Sequence, residues 1–133
     1  MSVKEIMTTK LITVSPSDSL GRIKTIIDKL HVNHVLVVEN LALLGIVSDR
    51  DVLRHTSPFV GGELEVTRDS QLLMTLATKI MTRDPVTIHQ DCSVNEAAHV
   101  ILEKQISLLP VINSDGIVVG VVSWKDVLRF AIQ

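Results

Sequence analysis

The stretch GIVSDRDVLR, residues 45 to 54, is followed 75 positions later by GVVSWKDVLR, residues 120 to 129. Seven of the ten positions are identical, and the main change is the pair between Ser and Asp, Asp49-Arg50 against Trp124-Lys125. A segment this specific, written twice in 133 residues, points to a duplicated structural unit.

The duplication extends upstream. At an offset of 74, EIMTTKLITV (5 to 14) lies on KIMTRDPVTI (79 to 88), and Ser19, Ile27 and Val37 meet Ser93, Ile101 and Val111. In each copy a β-branched run, ITV (12 to 14) or VTI (86 to 88), leads into a polar turn. A helix follows. In the second copy Val94, Ala97, Ala98, Ile101 and Leu102 carry its apolar stripe, and Ser93 with Glu96 predicts a capping box. In the first, Leu20, Ile23, Ile27 and Leu30 carry the stripe, weakened by Gly21. Next come two apolar runs joined by a turn, VLVV to LLGIV around Glu39 and Asn40 and LPVI to IVVGVV through NSDG, which predict hairpins. Ser48 and Ser123 then open a final helix in each copy. Each unit is therefore β-α-β-β-α, covering 3–56 and 77–132, with 57–76 as the connection and 1–133 as one module. The sequence RDSQLLMTL within that connection predicts a helical turn. Neither half offers the usual size of independent core, so the two sheets are expected to pack together.

Composition narrows the function. Hydrophobic residues make up 46% of the chain and aromatics only 2%, so the core is aliphatic and stacking platforms for single-stranded nucleic acid are missing. The formal charge of −2 is spread without a basic run, which disfavours a nucleic acid polymer as partner. The single cysteine, Cys92, excludes an internal disulfide and suits a reducing, cytoplasmic compartment. No apolar run is long enough for a bilayer, and the N-terminal MSVKEIM carries no hydrophobic signal segment, so no membrane partner is expected.

The repeated loop is the chemically informative part. Where a strand ends and a helix begins, backbone N–H groups and the helix dipole favour an anion, and Arg50 or Lys125 adds a cation beside the Asp. The same Ser-x-x-Asp spacing is also a capping box, with Ser and Asp bonding their own helix. The two roles are compatible.

Two β-α-β-β-α units, each opening with IMT and closing with GxxSxxDhhR, resemble a tandem pair of cystathionine β-synthase (CBS) domains, the Bateman module, in its stand-alone prokaryotic form. The resemblance implies an α+β fold of two CBS repeats packed with pseudo-twofold symmetry, forming a homodimer. It implies clefts between the repeats that bind AMP, ADP or ATP, with S-adenosylmethionine or NAD as other adenosyl ligands, and no required cofactor. Function would be regulation of an unidentified partner protein, not catalysis. A nucleotide-independent interaction or dimerisation module with vestigial clefts is the alternative.

By the same resemblance Asp51 and Asp126 accept hydrogen bonds from ribose hydroxyls, each worth about 1.5 to 3 kcal/mol to a charged acceptor. The clefts would be crossed. Ser48, Arg50 and Asp51 would meet the 84–89 segment, including Thr87 and His89, together with Ile106 and Ser107. Ser123, Lys125 and Asp126 would meet the 10–15 segment, including Thr13, together with Val32 and Asn33. His34 stands where the family often carries a basic residue, with Leu108 in its place in the second copy. Leu36 replaces a family proline, retained as Pro110 in the second copy, and its loss is expected to loosen that strand entry.

Other constellations are weaker. His31 and His34 fall at a helix end and a strand start, and no ligand set completes a metal site. Cys92 precedes a helix cap but has no activating histidine or resolving cysteine. Trp124, Val127, Leu128, Ala131 and Ile132 form an apolar side of the last helix, expected to cover the core or a dimer surface.

Overall fold

A computed structural model describes residues 1–56 and 71–133. The connection at 57–70, and with it the start of the helical turn expected in RDSQLLMTL, lies outside the described residues. The described chain forms two compact bodies, Ile12–Asp84 and Met1–Leu11 with Pro85–Gln133. The bodies do not coincide with the two copies as they run along the chain. The opening IMT segment of each copy belongs to the body built by the other copy.

In chain order the elements are α1 (Val3–Ile6), β1 (Thr13–Val14), α2 (Leu20–Leu30), β2 (His34–Glu39), β3 (Ala42–Ser48) and α3 (Asp49–Arg54), then α4 (Ala77–Ile80), β4 (Thr82–Arg83), β5 (Ile88–His89), α5 (Val94–Lys104), β6 (Leu108–Ile112), β7 (Val118–Ser123) and α6 (Trp124–Ala131). The expected β-α-β-β-α order is present in both copies, preceded each time by a one-turn helix and, in the second copy, also by the short strand β4. The first body has a sheet ordered β1-β2-β3-β4 and the second a sheet ordered β5-β6-β7. In both, the leading strand runs parallel to its neighbour and the hairpin is antiparallel, with a register shift at the same place, Val37/Val38 and Val111/Ile112.

The helices start and stop as their sequences dictate. Ser19 and Ser93 cap α2 and α5 by accepting from Arg22 N–H at 3.2 Å and Glu96 N–H at 3.0 Å. The Glu96 side chain does not bond back to Ser93, so the box expected there is only half formed. Both helices end on a left-handed residue, His31 (φ 53°) and Gln105 (φ 54°). Their buried faces are Leu20, Ile23 and Ile27, and Val94, Ala97 and Ile101. Leu102, expected in the stripe, is exposed because it lies roughly 100° of helix rotation from that face. Leu30, in the last turn of α2, is exposed as well. Gly21 has a positive reason for its place. A Cβ there would meet the Leu73 Cβ and carbonyl oxygen at 3.3 Å, and Gly21 N–H donates to that carbonyl.

Each body buries its own core. Val14, Leu20, Ile23, Val35, Val37 and Val47 of the first copy close over Ala77 and Ile80. Ile88, Ala97, Leu109, Val111 and Val122 of the second copy close over Val3, with Ile6 and Met7 packed beside it. The incoming segment also extends each sheet. Thr82 pairs with Ile46, and Thr8 pairs with Val121 through reciprocal 2.9 Å bonds. Glycine is required at the crossing. A Cβ on Gly45 would lie 2.5 Å from the Met81 sulfur and 2.8 Å from the Thr82 oxygen, and one on Gly120 would lie 2.6 Å from the Met7 sulfur and 3.0 Å from the Thr8 oxygen. The opening Gly of GIVS and GVVS therefore seats the Met of the other copy's IMT.

Two expectations about the first hairpin change. Its turn is Asn40-Leu41, both at positive φ, as a type I′ two-residue turn requires. Leu36 does not loosen the strand entry. It is 2% exposed, and its N–H donates to the Ile12 carbonyl at 3.0 Å, a bond that Pro110 cannot make at the matching position.

Gly45→Ala and Gly120→Ala should each destabilise the protein by about 1 to 3 kcal/mol, because the obstructing atoms include backbone oxygens. Urea unfolding measures the loss, and amide exchange should accelerate at Thr8 in Gly120→Ala and at Thr82 in Gly45→Ala. Unchanged stability and exchange in both would refute the seating.

Candidate functional site

The repeated loop sits at the end of the last strand of each hairpin. Ser48 and Ser123 end β3 and β7 in extended conformation and are the N-caps of α3 and α6. Both capping boxes are complete. Asp51 N–H donates to Ser48 Oγ at 3.1 Å, and Ser48 N–H donates to Asp51 Oδ2 at 2.9 Å. In the second copy the corresponding distances are 3.2 and 2.9 Å, and the Ser123 hydroxyl also donates to Asp126 Oδ2 at 3.1 Å.

The other carboxylate oxygen has a different fate. Asp51 Oδ1 lies 3.8 Å from the Arg54 guanidinium, and Asp126 Oδ1 accepts from Arg129 at 3.1 Å. Both carboxylates are nearly buried, whereas the two arginines are largely exposed. Each Asp thus commits one oxygen to its own helix and holds the second against a side chain that solvent can draw away. A carboxylate has about four acceptor positions, so the cap leaves capacity for further donors.

Around each loop the structure gathers residues of the loop's own copy, which the crossed arrangement had assigned to the other copy's loop. In the first body His34 is the cross-strand partner of Ser48, Asn33 O accepts from Asp49 N–H at 2.8 Å, and Val32 packs on the core. Thr13 is exposed on β1, two strands away, opposite Leu36. In the second body Leu108 faces Ser123, Ser107 O accepts from Trp124 N–H at 3.1 Å, and Ile106 packs on the core. Thr87 is exposed beside β5, which begins at Ile88, and His89 accepts through Nδ1 from Asp91 N–H and lies 3.3 Å from the Ser114 hydroxyl. Arg50 and Lys125 are exposed on the first turns of their helices, and the Lys125 ammonium stands 5.8 Å from the Trp124 ring centroid. The segments that the resemblance sets against the loops, 10–15 and 84–89, each pass from one body to the other, at Leu11/Ile12 and Asp84/Pro85.

The two loops differ in ways that the sequence located but did not describe. Asp49 turns its carboxylate onto the Arg50 N–H at 2.8 Å, closing one helix-start donor. Trp124 cannot do this, and among the described residues the Lys125 N–H meets no acceptor. Burial holds the His34 imidazole below its ordinary pKa of 6.5, opposed by the Asp49 and Asp51 carboxylates. It is therefore not the standing cation that the family position suggests. Trp124 is 48% exposed and lies outside the core, and Leu128 and Ile132 of the same helix are exposed too. Among the described residues only Val127 of that helix packs on the core cluster, so of the two expected uses of its apolar side, core or dimer surface, the core is not the one met.

Among the described residues no cluster of His, Cys, Asp and Glu could hold a metal ion, and no helix is long and apolar enough to cross a membrane. Desolvation and Glu96 raise the Cys92 thiol's pKa, which disfavours the thiolate.

Two predictions follow from this geometry. Ser48→Ala and Ser123→Ala should each cost about 1 kcal/mol by removing a cap, measured by urea unfolding, and no loss in either would contradict the boxes. Because folding lowers the His34 pKa, the unfolded chain takes the proton first as pH falls below 6.5. Stability carried by neutral His34 is present above that value and is lost as pH falls toward the folded pKa. His34→Gln should flatten the decline in urea midpoint between about pH 7.5 and about pH 5.5, and an unchanged slope would exclude the effect.

The family comparison agrees with this arrangement. The CBS domain family model matches residues 3–57 and 77–132. The chain is 29% identical over 125 residues to the CBS domain-containing protein YhcV of Bacillus subtilis, covering 94% of this chain and 81% of that protein. It is 33% identical over 124 residues to a probable arabinose 5-phosphate isomerase of Haemophilus influenzae, covering 93% of this chain but only 34% of that protein. Among solved structures, CBSX2 in complex with AMP matches with a TM-score of 0.83 at 28% identity, over 99% of this chain and 96% of that one. The CBS domain pair of MJ0100, in complex with 5′-methylthioadenosine and S-adenosylmethionine, matches with a TM-score of 0.77 at 26% identity, over 98% and 95%. The chain belongs to the CBS domain family, as a tandem pair of CBS repeats with a mixed α+β fold.

Proposed function

We propose that the chain is a regulatory module that binds adenine nucleotides or related adenosyl ligands at its two Ser-x-x-Asp loops and modulates a partner protein. The observation that carries this is the division of each carboxylate, with one oxygen fixed by the cap and the other, among the described residues, held only by an exposed arginine. A vicinal ribose diol supplies two donors for that second oxygen, and displacing Arg54 or Arg129 costs little because an exposed ion pair contributes about 0 to 1 kcal/mol. The AMP complex of CBSX2 and the adenosyl complexes of MJ0100 support the same ligand class. AMP, ADP and ATP are the leading ligands, with S-adenosylmethionine and NAD species beyond them.

In this reading Asp51 and Asp126 bind ribose. Ser48, Ser123, Arg50 and Lys125 shape the loop ends, while Val32, Asn33, His34, Ile106, Ser107, Thr13, Thr87 and His89 supply the surrounding surface. The module is non-catalytic, works in the cytoplasm and functions as a homodimer. A ligand would act by shifting its shape or dimer geometry, for which a coupling of about 1 to 3 kcal/mol suffices. A second possibility, an interaction module indifferent to nucleotide, is favoured by the exposed Trp124, Leu128 and Ile132 on one helix.

Calorimetry of the intact protein with AMP, ADP and ATP should show binding. Asp51→Ala and Asp126→Ala should each weaken one site about tenfold or more, the loss of at least one charge-assisted hydrogen bond. Unchanged binding in both variants would remove the role assigned to Asp. Absence of heat and of thermal shift at millimolar ligand would favour the interaction module.

A further inference from the structure

The two loops present the same fold with different charge. Residues 48–54 hold two carboxylates, Asp49 and Asp51, against Arg50 and Arg54, whereas residues 123–129 hold only Asp126 against Lys125 and Arg129. The second loop therefore carries one more positive charge. Geometry enlarges that difference. In the first loop the Asp49 carboxylate already occupies the Arg50 N–H at 2.8 Å, so an incoming anion would have to displace a like charge attached one residue away. In the second, the N–H of Lys125 is open among the described residues, and its ammonium lies over the Trp124 ring rather than in an ion pair. The position across from the cap does not restore the balance. His34 is partly buried and its imidazole is held toward the neutral form, although both nearby carboxylates pull the other way.

We propose that Asp49 biases the two loops by ligand charge, so that the first repeat's loop favours uncharged or cationic adenosyl ligands and the second repeat's loop favours phosphate-bearing ones. This rests on the adenosyl-binding role proposed above, and it makes Asp49 a specificity-determining residue rather than a ribose contact. A phosphate on the first loop's helix-start donors would compete with the Asp49 carboxylate that occupies the Arg50 N–H, and a like unit charge about 4 Å away in water changes an affinity by about three- to tenfold. An uncharged 5′ substituent meets no such opposition. The module would then report two ligand classes at once instead of holding two copies of one.

Calorimetry on the full chain with adenosine and with AMP tests this in wild type, Asp49→Asn and Trp124→Asp. Both positions are exposed, and Asn retains an acceptor for the Arg50 N–H, so matching thermal midpoints should confirm that the variants fold. Asp49→Asn should tighten the weaker AMP site about three- to tenfold while adenosine stays within about twofold, and Trp124→Asp should weaken the tighter AMP site by a similar factor relative to adenosine. If AMP and adenosine keep their wild-type ratio at both sites in both variants, charge sorting is wrong and adenosyl binding stands. If neither ligand binds the wild-type protein, adenosyl binding itself is wrong, and the sorting falls with it.

Discussion

In each body a methionine from one copy of the repeat lies against a glycine from the other, and the rest of the structure depends on that seat. The crossing places Met81 on Gly45 and Met7 on Gly120, with the following threonine pairing to the neighbouring strand residue. It brings Val3 into one core and Ala77 and Ile80 into the other. It also fixes the strand whose last residue, Ser48 or Ser123, caps the helix that carries the Asp. Seat, strand end and cap are thus three consecutive features of one ten-residue segment. The duplicated GxxSxxD sequence records all three constraints together.

The repeat, the order of its elements and the Ser-x-x-Asp boxes were legible because each has a local cause: apolar periodicity, a turn residue, a cap at fixed spacing. The exchange of IMT segments was not legible. Glycine at 45 and 120 signals a close approach, but only the fold reveals that the approaching atoms belong to Met81 and Met7. Leu102 misled for a related reason, since an apolar residue near a helix stripe does not state whether its own azimuth reaches the core. Leu36 misled differently. Replacing a proline restores a donor, and here that donor has a waiting acceptor in Ile12.

The candidate site was legible as residues and illegible as geometry. Sequence allowed both capping and ligand contact for Asp51 and Asp126, and the structure gives one carboxylate oxygen of each to the cap and sets the other against an exposed arginine. That division lets the helix stay capped whether or not a ligand is present. Under the proposed function the loops would bind without reorganising, which keeps the ordering cost of association low. The contrast at Asp49 and Trp124 acts on top of this common frame, changing charge and open donors without altering the cap.

The most direct measurement is an amide and side-chain NMR titration of the intact protein with AMP. Adenosyl binding at the repeated loops predicts shifts concentrated at the Asp51 and Asp126 carboxylates and the Arg54 and Arg129 side chains. The Asp51 and Asp126 amides should keep the slow exchange of a capped helix start. Shifts confined to other surfaces, or no shifts at millimolar AMP, would contradict it.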